Sequence, residues 1–201
     1  VYYGRLPREG IPVKKAAALR LTTSQFILLG FLTVILAGSV LLVLPISAAD
    51  GNSVPYIDAL FTATTATCVT GLVTVPTFST WSTFGQVVIL LLIQIGGLGV
   101  VTILSSMMML LHRRIGISTR LLIQDAFNLN TLSGLVRFVR KVLFGTFAVE
   151  GVGALAYMAV FVPQLGTRGI WISVFNSVSA FCNAGIDILA DNSLCLLYTS
   201  P

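Results

Sequence analysis

Charge is what this sequence has least of: Asp, Glu, Lys and Arg together make up 9% of its 201 residues. A soluble domain carries roughly 25%, so a water-facing surface of the usual kind cannot be assembled. Disorder is excluded as well, because it needs low hydrophobicity and 56% of this chain is hydrophobic. Histidine is reduced to His112 alone, and the three cysteines, Cys68, Cys182 and Cys195, form no CxxC pair. Neither a zinc site nor a disulfide framework has a basis in such spacing. Basic residues are missing altogether from 21 to 111. They gather at Arg5, Arg8, Lys14, Lys15 and Arg20, then at Arg113, Arg114, Arg120, Arg137, Arg140 and Lys141, with Arg168 by itself. A nucleic-acid-binding protein lays its charge along a soluble face; here the net charge of +5 is read as membrane topology, with no nucleic-acid partner. No cleaved leader is expected, since the first 20 residues are basic and polar and the apolar run after them exceeds a signal-peptide core.

What the chain does have is long apolar runs. Three are close to the ~20 residues a helix needs to cross a bilayer: 26–44, closed by Pro45; 84–111, uncharged throughout; and 142–162, closed by Pro163 and carrying Glu150. Basic flanks mark the cytoplasmic side, which orients the first span outward, the second inward and the third outward, in a multi-pass protein of the plasma membrane. Asp50 and Asp58 then lie outside, and Arg168 is the single exception to the charge rule.

Between the spans lie two apolar segments too short to cross: YIDALFTATTATCVTG (56–71) and WISVFNSVSAFCNAG (171–185). Setting Phe61 on Phe175 places Thr65 on Ser179, Ala66 on Ala180, Cys68 on Cys182 and Gly71 on Gly185 without a gap. That is an internal repeat, with a unit of span, short re-entrant helix, glycine loop and span. Irregular backbone at membrane depth is tolerated only where protein buries it or it lines a water-filled cavity, so paired re-entrant loops predict a pore. Backbone carbonyls that replace a cation's hydration shell make a selectivity filter, and glycine permits the required backbone. The predicted filter residues are Cys68, Val69, Thr70 and Gly71 in the first loop, and Cys182, Asn183, Ala184 and Gly185 in the second. Cys68 and Cys182 are expected as small packing side chains behind it.

Other features have plainer readings. Gly96, Gly97 and Gly99 lack the preceding strand of a dinucleotide loop and suit close helix packing. Glu150, costly in hydrocarbon, is expected to anchor structure rather than to coordinate an ion. The basic linker touches anionic lipid or docks a regulator, and His112 sits at a helix end. An intramembrane enzyme would need a metal motif or a nucleophile–base pair, and neither is present in the sequence, so no enzyme and no cofactor are expected. A secondary transporter of another cation, coupled to sodium or protons, is the alternative; its inverted repeats contrast with the parallel repeats here.

The stretches FTATTATCVTGL (61–72), QIGGLGVVT (94–102), IGISTRLLIQDAFN (115–128), FAVEGVGAL (147–155) and SVSAFCNAGID (177–187), with DNSL (191–194), resemble the Trk/Ktr/HKT superfamily of potassium transporters. The resemblance implies four membrane–pore–membrane repeats around one potassium path, and its filter glycines fall on Gly71 and Gly185. It also implies a homodimer, a cytoplasmic nucleotide-binding partner of the RCK (regulator of potassium conductance) type, and potassium as the transported substrate. The expected fold is therefore an all-α polytopic membrane protein, potassium-channel-like and incomplete. Its expected parts are a cytoplasmic segment 1–25, a first repeat 26–111, a cytoplasmic linker 112–141, a partial second repeat 142–194 and a tail 195–201 unlike the family. Ile186 stands where the family more often has Phe. Taken alone, this chain is expected not to conduct ions.

Overall fold

A computed structural model of the chain describes residues 23–99, 102 and 135–189. These are helices joined by loops, and no strand occurs among the described residues. Helix α1 spans Thr23–Val43, 21 residues without an ionisable side chain, and at 1.5 Å per residue it is about 31 Å long. It ends where the sequence places its stop. Leu44, held at φ −59° and ψ 138° ahead of Pro45, leaves the helical region, as the residue before a proline must. A 3-10 turn follows at Pro45–Ser47.

Helix α2 is Tyr56–Cys68, α3 the single turn Thr77–Thr80, and α4 Thr83–Leu98. The start of α4 is fastened to the 3-10 turn that follows α1. The Ser82 backbone N–H donates to the Ser47 carbonyl at 2.9 Å, and the Ser82 hydroxyl donates to the Ile46 carbonyl at 2.6 Å. Gly85 has no room for a side chain, because a Cβ there would overlap the Ser47 carbonyl.

The expected second span, 84–111, is not one unbroken helix. Helix α4 covers 16 residues, about 24 Å, and stops where Gly99 takes φ +82°. Apart from Thr102, the remainder of that span lies outside the described residues.

The third span, by contrast, is longer than expected. Helix α5 runs Leu135–Leu165, so it takes in Arg137, Arg140 and Lys141, which the sequence assigns to the linker. It continues two residues beyond Pro163 and closes at Gly166, whose N–H bonds back to the Val162 carbonyl at 2.9 Å. A proline in the last turn costs one hydrogen bond, and a left-handed glycine (φ +61°) completes the stop. The segment Arg137–Leu165 is long and apolar enough to cross a membrane, while Ile27–Val43 and Thr83–Leu98 are shorter apolar helices. Helix α6, Arg168–Phe181, folds back against α5.

The core is built around α2. Ala59, Ala63 and Ala66 lie on one face of it, fully buried, and their small size lets α1 and α4 approach closely. Leu42, Trp81, Ile89, Ile93 and Phe175 fill the remaining space. Facing outward, α1 presents Leu28, Leu32, Leu36 and Val40, an exposed apolar stripe at four-residue spacing that suits lipid or a further apolar helix.

Candidate functional site

Two loops leave the C-terminal ends of α2 and α6 and converge. A Cβ placed on Gly71 would lie 2.8 Å from the Ala184 carbonyl oxygen and 3.5 Å from the Gly185 Cα. The structure therefore brings together the two glycines that the sequence repeat pairs at an offset of 114 residues.

Their backbones match as well. In the first loop Val69 (φ +57°) and Gly71 (φ +74°) are left-handed; in the second, Asn183 (φ +58°) and Gly185 (φ +66°) are, at the same offset. Thr70 and Ala184 between them are not. Residues of alternating backbone hand gather successive N–H groups on one side of a chain, and left-handed residues at every second position are the first requirement of that geometry. The N–H groups turn back to the helices: Thr70 donates to the Thr65 carbonyl at 3.1 Å, and Ala184 to the Ser179 carbonyl at 2.7 Å. Among the described residues, no hydrogen bond reaches the carbonyls of Val69, Thr70, Gly71, Asn183 or Ala184. The N–H groups of Val69 and Thr70, and of Asn183 and Ala184, are thus bonded to the preceding helix, while the carbonyls of these residues are left free.

Two hydroxyls fix where each loop leaves its glycine. The Leu72 N–H donates to Thr65 Oγ1 at 3.0 Å, and the Ser179 hydroxyl donates to the Ile186 carbonyl at 2.5 Å. Thr65 and Ser179 are equivalent in the repeat, as are Leu72 and Ile186. Thr65 Oγ1 also pairs with Thr70 Oγ1 at 2.7 Å. Neither hydroxyl was among the predicted site residues, although the alignment that pairs them already held the signal.

Helix α4 passes close behind both loops, and its glycines make that possible. A Cβ on Gly96 would overlap the Thr67 carbonyl, and one on Gly97 would overlap Cys182 Sγ. The packing expectation holds for these two glycines but not for Gly99, where an added Cβ would meet nothing within 4 Å among the described residues and the glycine instead ends the helix at φ +82°. Cys182 packs as expected, half-buried against α4, but Cys68 does not, since its side chain is exposed. It is the last residue of α2.

Glu150, on α5, is 5% exposed. Gln94 Nε2 donates to both carboxylate oxygens, at 2.9 and 3.2 Å, and the Ser177 hydroxyl donates to the Glu150 backbone carbonyl at 2.6 Å. The carboxylate's partner is thus an amide on a neighbouring helix, α4. Arg168, the exception to the charge rule, stands 4.4 Å over the Phe78 ring at the start of α6. His112, the linker to residue 134, Asp191 and the tail 195–201 lie outside the described residues. Among the described residues no group of three or more His, Cys, Asp or Glu side chains could hold a metal ion.

Comparison with known proteins bears on the family of the chain. The chain is 42% identical over 183 residues to the potassium/sodium uptake protein NtpJ of Enterococcus hirae, covering 90% of this chain and 41% of that protein. It is 42% identical over 174 residues to the Ktr system potassium uptake protein B of Bacillus subtilis (86% and 39%). The protein of the same description from Vibrio alginolyticus is 34% identical over 171 residues (85% and 37%). The chain therefore spans about two fifths of the length of these curated relatives. The model of the family described as TrkH, cation transport protein, matches residues 14–199, nearly the whole sequence, and the chain belongs to that family.

Proposed function

We propose that this chain forms part of the pore subunit of a potassium uptake transporter, contributing two of the strands that select the ion. In this proposal α2 and α6 are pore helices, and Cys68–Val69–Thr70–Gly71 and Cys182–Asn183–Ala184–Gly185 are filter strands. The observation that carries it is the matched alternation of left-handed residues in two converging loops, whose carbonyls are free while the N–H groups of Thr70 and Ala184 are bonded back to their helices. A dehydrated potassium ion needs several oxygen dipoles in a close ring; two such strands supply part of one ring, and further repeats of a longer protein supply the rest. The names of the relatives, each a potassium or potassium/sodium uptake protein, support potassium as the substrate.

The rest of the expected architecture belongs to the same proposal. The protein is multi-pass in the plasma membrane, with the basic segments 1–25 and 112–141 cytoplasmic, a first membrane–pore–membrane repeat at 26–111 and part of a second at 142–194. The relatives described as parts of a Ktr system support a second component, here an RCK-type cytoplasmic subunit, acting on a homodimer of pore subunits. The direct test is competition uptake in cells lacking their own potassium uptake, using a full-length transporter that carries this sequence. Gly71→Ser and Gly185→Ser are each expected to lower the preference for potassium over sodium. An unchanged preference in both would refute the filter assignment.

A further inference from the structure

Glu150 is a carboxylate on a membrane-crossing helix, nearly closed off from solvent, with no ion pair among the described residues. A well-packed apolar pair would hold two helices together at least as stably, so adhesion alone does not account for it. What a carboxylate does that an apolar group cannot is orient its partner. Both its oxygens accept from one nitrogen, Gln94 Nε2, at 2.9 and 3.2 Å. That leaves Gln94 Oε1, an acceptor, turned the other way, where the Cys182 thiol donates to it at 3.9 Å. Cys182 is the first residue of the second loop. The same Glu150 holds α6 through its main chain, since its carbonyl takes the Ser177 hydroxyl at 2.6 Å. Gly153, one turn on, leaves the space that Ser177 occupies: a Cβ there would stand 2.5 Å from Ser177 Oγ.

Among the described residues the first loop has no such device. Helix α1 carries no ionisable residue, Cys68 is exposed, and the local Thr65–Thr70 hydroxyl pair braces that loop instead. We infer that Glu150 and Gln94 are positioning residues for the second loop: the carboxylate sets the Gln94 amide, and the amide sets Cys182 and the carbonyls that follow it. This rests on the filter assignment proposed above. It assigns Glu150 an acceptor role behind the loop rather than a charge acting on the ion, and the two differ in what glutamine should do at position 150.

The experiment uses the full-length transporter at matched membrane levels, with potassium uptake measured against increasing sodium. Glu150→Gln keeps an acceptor for the Gln94 amide and is expected to hold the preference for potassium within about twofold of the parent. Glu150→Leu and Gln94→Leu are each expected to lower it about tenfold, a change of ~1.4 kcal/mol. The double variant should be no worse than the more affected single, because the two residues act as one unit. Gly185→Ser and Gly71→Ser, run alongside, separate the two levels. If a glycine variant changes the preference and Gln94→Leu does not, the inference is wrong and the filter assignment stands. If neither glycine variant changes it, the filter assignment itself falls. A Glu150→Gln variant as impaired as Glu150→Leu would show that charge matters, and would overturn the positioning role. So would absence of both leucine variants from the membrane while Glu150→Gln is present, since the pair would then serve assembly alone.

Discussion

The two filter glycines are equivalent in the repeat but not in their surroundings, and a single methyl group should expose the difference. Gly71→Ala places a Cβ 2.8 Å from the Ala184 carbonyl oxygen. That neighbour is backbone, so relief requires one loop to shift against the other. The left-handed φ of +74° adds about 1–2 kcal/mol for any L-residue. Gly185→Ala meets only the Gly71 Cα at 3.5 Å, an ordinary contact, and carries the φ penalty alone. The total strain at Gly71 is then ~2–4 kcal/mol against ~1–2 kcal/mol at Gly185. If half the strain is relieved by turning carbonyls away from the ion, Gly71→Ala loses roughly a factor of 5 to 30 in preference and Gly185→Ala roughly 2 to 5. Competition uptake, with potassium and sodium titrated against each other in the full-length transporter, measures both. Equal effects, or a larger loss at Gly185, would refute the reasoning, because the order follows from the Ala184 contact alone.

Three further outcomes are expected. Thr65→Val removes the hydroxyl that receives the Leu72 N–H and pairs with Thr70; it should cost about 1–3 kcal/mol in thermal unfolding of the detergent-solubilised transporter, and Ser179→Ala should lower stability in the same assay. Gly96→Ala, whose Cβ would overlap the Thr67 carbonyl oxygen, and Gly97→Ala, whose Cβ would lie 2.7 Å from the backbone-fixed Cys182 Cβ, should each lower membrane abundance and melting temperature. An impermeant thiol reagent applied to intact cells should modify a cysteine placed at Asn52 and leave one at Asn130 untouched, and the reverse pattern would overturn the orientation.

The repeat was legible because its register survives in side chains of distinct type: Phe61 with Phe175, Cys68 with Cys182 and Gly71 with Gly185. The glycine pair also announced where left-handed backbone falls. Val69 did not, since a β-branched residue is among the last expected at φ +57°, and only the match to Asn183 makes sense of it. Helix lengths were less legible for two separate reasons. Arg137, Arg140 and Lys141 mark the side of the membrane on which they lie, but Arg and Lys are good helix formers and do not mark where α5 begins. In 84–111 the apolar run continues past Gly99, so hydropathy carries no sign of the break, and the nearby glycines serve packing as well. Gln94 was invisible because it is neutral and stands 56 residues from Glu150; charge logic flags the carboxylate and says nothing of an amide partner.

One turn of α4 explains why two loops from separate parts of the chain hold the same unusual backbone. Val69 in the left-handed region costs about 1–2 kcal/mol and must be held there by its surroundings. Gly96 lies against that loop, with the Val69 side chain 3.1 Å from where its Cβ would be and the Thr67 carbonyl closer still. On the same turn Gln94 reaches the Cys182 thiol, and Gly97 gives Cys182 the space it fills. Four consecutive residues, Gln94 to Gly97, therefore include the supports of both loops. A displacement of this turn cannot act on one strand alone. The glycine that ends the helix two residues later, Gly99 at φ +82°, where an added Cβ would meet nothing within 4 Å among the described residues, sets the supporting turn at the end of a helix rather than in its middle. Helix ends open at lower free energy than helix centres, so the supports of both loops stand on the part of α4 that yields first.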